Sequence, residues 1–152
     1  MRALKWWLRI VGGVYVVLGL GFLPALNAAR LPRLLPGFDA PVGGVAFRAL
    51  LDYTLMFGLD LVVIGAFLLV AARAPQRAVP AVWLVLVLEL VRGICDDVYM
   101  LAQGYSPHIY VGFIVLHVII IVTGLVSLRR FQLDEVGESR PIAGRNYHPS
   151  AS

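Results

Sequence analysis

Apolar residues in this chain come in long unbroken runs. Four stand out: Trp6 to Leu26, Ala49 to Ala71, Ala81 to Ala102 and Ile109 to Leu128. Each is about as long as an α-helix must be to cross roughly 30 Å of hydrocarbon at about 1.5 Å per residue. The pattern predicts an all-α polytopic membrane protein, with residues 1–128 forming one antiparallel bundle of four transmembrane helices. Arg2 and Lys5 ahead of the first run resemble the start of a secretory signal, but the run is long for a signal core and reads as an uncleaved anchor.

The stretches between the runs set the connections. Asn27 to Arg48 carries Pro32, Pro36, Pro41, Gly37, Gly43 and Gly44, which predicts a loop rather than a fifth helix. Its Leu31, Leu34, Leu35 and Phe38 are too apolar for a free aqueous linker, so it is expected at the headgroup level or folded back over the bundle. Arg73 to Pro80 and Gln103 to His108 are tight connections that force antiparallel neighbours. Residues 129–152 are polar and without periodicity, which predicts a disordered tail.

Composition supports the membrane reading, with 60% apolar and 14% charged residues and a mean hydropathy of +0.84. The net charge of +4 does not indicate nucleic acid, because most basic residues sit at the ends of the runs. Arg2, Lys5, Arg9, Arg73, Arg77, Arg129, Arg130, Arg140 and Arg145 fall on one side, and Arg30, Arg33 and Arg48 on the other. The positive-inside rule then places both termini in the cytoplasm of a multi-pass inner-membrane protein. A single cysteine, Cys95, excludes an internal disulfide and a cysteine-based zinc site.

The third run breaks the apolar pattern with Glu89, Arg92, Asp96 and Asp97. Spacings of three and four residues bring Glu89, Arg92 and Asp96 onto one helical face, which predicts a carboxylate–guanidinium–carboxylate triad continued by Tyr99 and Gln103. Asp97, rotated by about 100°, needs another partner. Counting depth in antiparallel helices puts Asp60, Arg92 and His117 in one layer about 17 Å in, and brings Arg48 and Asp52 level with Asp96, Asp97 and Tyr99. The expectation is a polar seam from the midplane to the outer face, its ligand- or ion-binding candidates being Asp60, Glu89, Arg92, Asp96, Asp97, Tyr99 and His117. Ionisable residues inside a membrane usually mark ion, proton or ligand sites. The competing reading is a salt-bridge lock that fixes which helix faces inward.

Glycines add a packing expectation. Gly12 and Gly19 in the first run match Gly58 and Gly65 in the second when the two helices run antiparallel, and small residues allow close backbone approach. No hydrolase, metalloprotease, nucleotide or dinucleotide fingerprint occurs, so the chain is not read as an enzyme. No cofactor or metal is expected. A second imidazole for haem is missing at the depth of His117, and Asp96 and Asp97, beside an arginine, pair with it more readily than they join His108 around a metal ion.

The stretches KWWLRIVGGVYVVLGL, MFGLDLVVIGA, ELVRGICDDVYMLA and GFIVLHVIIIVTGL resemble the BphX-like family of small bacterial membrane proteins. The resemblance covers the four runs and leaves out the tail. It implies a bacterial membrane location and a link to aromatic-compound catabolism, but no reaction and no catalytic residue. The function expected from the residues is ligand or ion binding, or a transport-accessory role, with the lipid bilayer as surroundings and a second copy or another membrane protein as partner. The alternative is a non-catalytic membrane scaffold.

Overall fold

A computed structural model describes residues 2–35 and 37–138; Pro36 and the segment 139–152, which includes Arg140 and Arg145, lie outside the described residues. In chain order the helices are α1 (Arg2–Leu20), α2 (Pro24–Asn27), α3 (Leu31–Leu34), α4 (Val45–Ala71), α5 (Val79–Leu88), α6 (Cys95–Ala102) and α7 (Pro107–Glu138). A 3₁₀ turn, Pro75–Arg77, precedes α5, and a π-helical turn, Glu89–Ile94, joins α5 to α6. The described residues contain no strand. Three helices, α1, α4 and α7, are long and apolar enough to cross a membrane. The third apolar run is helical from Val79 to Ala102, but the π turn divides it, so no single α-helix of spanning length forms there.

Several boundaries differ from the sequence expectation. α1 stops at Leu20, where Gly21 and Pro24 follow, instead of running to Leu26. The connection from Asn27 to Arg48 is not helix-free, because α3 lies within it and α2 ends at its first residue. It folds back onto the start of α4: Leu31 is buried with Phe47 and Leu51, and Leu35 and Phe38 pack on them. Fully buried Asn27 fastens the fold-back by donating from Nδ2 to Thr54 Oγ1 at 2.8 Å, while its Oδ1 accepts from Arg30. At the other end α7 continues to Glu138, so the residues just after Leu128, expected in a disordered tail, extend the helix instead. α6 ends at Ala102, and two residues on comes Gly104, whose φ of 84° suits the left-handed helix stop that side chains disfavour.

α1 is the hub, packing most extensively on α4 and also against α7. Leu4, Trp7, Leu8, Val11 and Tyr15 form its buried stripe, which meets Leu68 of α4, Val82 and Val85 of α5, and Ile120 and Leu128 of α7. Trp7 pins α1 to α7 by donating from Nε1 to the carbonyl of Ile120 and to Thr123 Oγ1, both at 3.2 Å. Its ring fits where Gly124 has no side chain: a Cβ there would lie 2.9 Å from Trp7.

The paired glycines meet as expected. A Cβ on Gly12 would stand 2.8 Å from the carbonyl oxygen of Gly65, and one on Gly58 would stand 2.7 Å from that of Gly19. Rising numbers in α1 thus face falling numbers in α4, and the backbones touch without intervening side chains. Gly12→Ala or Gly65→Ala should lower stability by about 1–3 kcal/mol, the usual cost of overpacking a filled interface. Gly13→Ala, where the added Cβ meets nothing within 4 Å, should not. Thermal unfolding of the detergent-purified variants measures both.

Candidate functional site

Charged side chains of the third run divide into a buried set and an exposed set, and the π turn decides which is which. Eight residues of regular α-helix turn through about 800°, leaving Glu89 and Asp97 roughly 80° apart. A π turn accommodates an extra residue in the helix and takes up that difference. Both carboxylates therefore point towards α7, where each reaches a different nitrogen of His117. Glu89 Oε2 contacts Nδ1, and Asp97 Oδ2 lies 3.4 Å from Nε2. Glu89 is 2% exposed and Asp97 6%.

Gly93, midway between the two carboxylates, supplies the space. A Cβ at this position would lie 2.6 Å from Nδ1 and 2.8 Å from Cε1 of His117, so the imidazole rests directly on the helix backbone. α1 closes the site from the other side, where Tyr15 on its buried stripe donates its hydroxyl proton to Glu89 Oε1. Among the described residues buried Asp97 Oδ2 makes no hydrogen bond, its approach to Nε2 being an ion pair that is not aligned as a hydrogen bond. The two carboxylates sit at opposite edges of one ring and share no common point. Accordingly, among the described residues no group of three or more His, Cys, Asp or Glu side chains could hold a metal ion.

Beside this cluster lies a cavity of about 60 Å³, walled by Tyr15, Phe57, Leu61, Glu89, Arg92 and His117. That is room for about two waters. Its polar walls are the Tyr15–Glu89–His117 cluster and the guanidinium of Arg92. A larger hollow of about 490 Å³ lies far from this chemistry, at the Arg2 and Arg130 end of the molecule.

The structure regroups the expected seam. The Glu89–Arg92–Asp96 triad does not form, because the π turn swings Arg92 away from Glu89. Arg92 pairs instead with Asp60 Oδ2 at 3.9 Å, and its guanidinium carbon lies 4.7 Å above the Phe57 ring. Asp60 and Arg92 do share a layer, but the ion-pair partners of His117 are Glu89 and Asp97, not Asp60. Asp96 and Tyr99 are exposed. Arg48 and Asp52 are exposed as well and make no ion pair with the α6 carboxylates. Shielding from the surroundings thus holds for Glu89 and Asp97 and fails for Asp60, Arg92 and Asp96 in a single chain.

Two members of the site escaped the sequence reading. Tyr15 had a signal: it falls four residues after Val11 on the stripe that Leu4, Leu8 and Val11 define, and a hydroxyl on a buried stripe needs a partner. Gly93 had none beyond being a glycine amid charges.

A family model described as BphX-like matches residues 1–132, which include all four apolar runs and every residue of the imidazole cluster. The chain belongs to the BphX-like family. Two relatives carrying the description uncharacterised BphX-like protein, from Burkholderia cepacia and Paraburkholderia xenovorans, are each 30% identical over 131 residues, covering 85% of this chain and 93% of their own. No solved structure matches. For this BphX-like chain, removing the Tyr15 hydroxyl in Tyr15→Phe should cost about 1.5–3 kcal/mol, the range for a hydrogen bond to a charged group. Tyr99→Phe, at an exposed hydroxyl without a hydrogen bond among the described residues, should stay within about 0.5 kcal/mol of wild type. Comparison of the two melting transitions in detergent tests the assignment.

Proposed function

We propose that this BphX-like protein crosses the bacterial inner membrane four times, with both termini cytoplasmic, and that its Tyr15–Glu89–His117–Asp97 cluster is a buried proton-exchange site serving a transport-accessory role. The observation that carries the reading is the imidazole with a carboxylate at each nitrogen. A neutral imidazole holds one N–H and one lone pair, and the imidazolium holds two N–H groups. Between two carboxyl groups the ring can accept a proton at Nδ1 from the Glu89 side and release one at Nε2 once the 3.4 Å approach of Asp97 closes into a hydrogen bond. The adjoining cavity has room for water at the Glu89 end.

The membrane reading rests on the apolar surfaces of α1, α4 and α7 and on the unbroken helical course of residues 79–102, whose length of about 36 Å suffices to cross despite the π turn. Burial supports a special role for the cluster. A charged residue at the centre of a membrane helix costs about 2.5–3.5 kcal/mol on insertion scales, and the cost falls when charges are paired and enclosed, as Glu89 and Asp97 are. Cavity size gives no support to an aromatic occupant: a cavity of about 150 Å³ takes a benzene ring, against about 60 Å³ here. The proposed chemistry makes and breaks no covalent bond other than to hydrogen, so the protein is read as a non-enzyme without a cofactor.

In proteoliposomes the wild type should pass protons when a potential is applied, and His117→Gln should reduce the flux on the order of 100-fold, the lower range for a positioned proton-transfer group. Wild-type vesicles without flux at any pH would rule the proton site out. His117→Gln protein that loses stability while wild-type vesicles carry no flux would favour the scaffold reading, in which the cluster is a lock between α7 and the third helical run. Topology has its own check. Tags at Gln76 and Tyr105 should report opposite sides of the membrane, and a same-side result would exclude four spans.

A further inference from the structure

Enclosure of Glu89 and Asp97 leaves a second group of charges unexplained. Asp60 of α4 and Arg92 of the π turn pair with side chains 64% and 50% exposed. On the same helix surface as Arg92 follow Asp96, Tyr99 and Gln103, at steps of four, three and four residues, all exposed. Asp96 and Tyr99 have no hydrogen bond or ion pair among the described residues. Nothing among the described residues covers this stripe, since α4 packs chiefly on α1, and α6, apart from the π turn it continues, packs on α7.

We infer that the Asp60–Arg92–Asp96–Tyr99 stripe is the contact face for a second copy of the same chain, related by a two-fold axis along the membrane normal. The inference rests on the four-span reading, because only in a bilayer are these exposed charges denied water. It commits to a second copy because of the order of charges on the stripe. A patch of one sign repels its own copy and calls for an unlike partner, whereas a two-fold contact needs a patch that complements itself. Here an anion and a cation lie side by side, 3.9 Å apart, in one layer. An axis along the membrane normal keeps equal depths together. Asp60 and Arg92 of one copy then face Arg92 and Asp60 of the other, closing a ring of four alternating charges. Asp96 lies about 6 Å further along the helix than Arg92, within reach of the second copy's long arginine side chain. Arg92 also walls the cavity beside Glu89, so the second copy would cover the flank of the proposed proton site.

The native thiol provides the test, because exposed Cys95, the single cysteine, adjoins Asp96 on this surface. The full chain is co-expressed with two different tags, and its membranes are treated with a thiol oxidant or a short bis-maleimide. A second reporter places the thiol at the stripe itself, as Tyr99→Cys in a Cys95→Ala background. The expected result is an adduct containing both tags. Asp60→Arg alone and Arg92→Asp alone place like charges in the ring, and each should lower the adduct at least ten-fold. Co-expressing those two variants should restore it, since one copy then brings two cations and the other two anions. If the variants do not insert, the wild-type and Tyr99→Cys adducts decide. Monomer only at both thiol positions, an adduct with a different protein, or failed restoration with both variants in the membrane would each overturn the second-copy contact. Carbonate extraction and the Gln76 and Tyr105 tags are read on the same membranes. Carbonate-resistant protein with tags on opposite sides but no adduct sinks this contact alone, while tags on one side sink the four-span reading and this contact with it.

Discussion

Two carboxylates placed in an apolar helical interior must share a proton or a cation, and in this chain the imidazole of His117 is the group that serves both. Glu89 and Asp97 could not reach it together from a regular α-helix, whose pitch would separate them around the axis. The π turn at Glu89–Ile94 brings them to one side, and Gly93 between them lets the ring lie on the backbone. A deviation in helical register thus meets an electrostatic requirement. The same deviation expels Arg92 to the surface. One local change therefore separates an enclosed, mutually compensating group from an exposed one.

The enclosed group depends on a rigid wall, and α1 provides it. Glycine contacts hold α1 against α4 at backbone distance, while Trp7 holds it against α7 through two hydrogen bonds and the notch at Gly124. Tyr15 projects from between these two attachments, so its hydroxyl is carried to Glu89 by packing that involves no charge at all. Close packing of small residues and apolar side chains is what sets the geometry of the polar site. Since α4 touches mainly α1, Asp60 is positioned by a helix that the imidazole cluster does not directly hold.

Burial and exposure give the two groups of charges different physical standing. Glu89 and Asp97 are desolvated by protein, and their energetics are settled within one chain. Asp60, Arg92 and Asp96 are desolvated only if lipid or another protein lies against them, so their energetics depend on the surroundings. Membership of the BphX-like family covers both groups, since the match extends through residue 132.

Much was fixed by composition and spacing alone. Long apolar runs require helices, because only a helix satisfies every backbone donor and acceptor within such a segment, and this was legible without a structure. The glycine pairs were legible too, since a seven-residue interval is about two turns and antiparallel depth follows from counting. Family membership could be read from the same stretches. What the sequence could not reveal was the register of the third run. A Glu–Arg–Asp spacing of three and four residues implies a triad only if the helix keeps its α pitch, and whether a π turn forms depends on what packs against it. His117 on α7, the gap at Gly93 and the hydroxyl of Tyr15 on α1 come from three separate parts of the chain. Their joint preference for one side of residues 89–97 is a sum of contacts across space, and only the tertiary structure decided it.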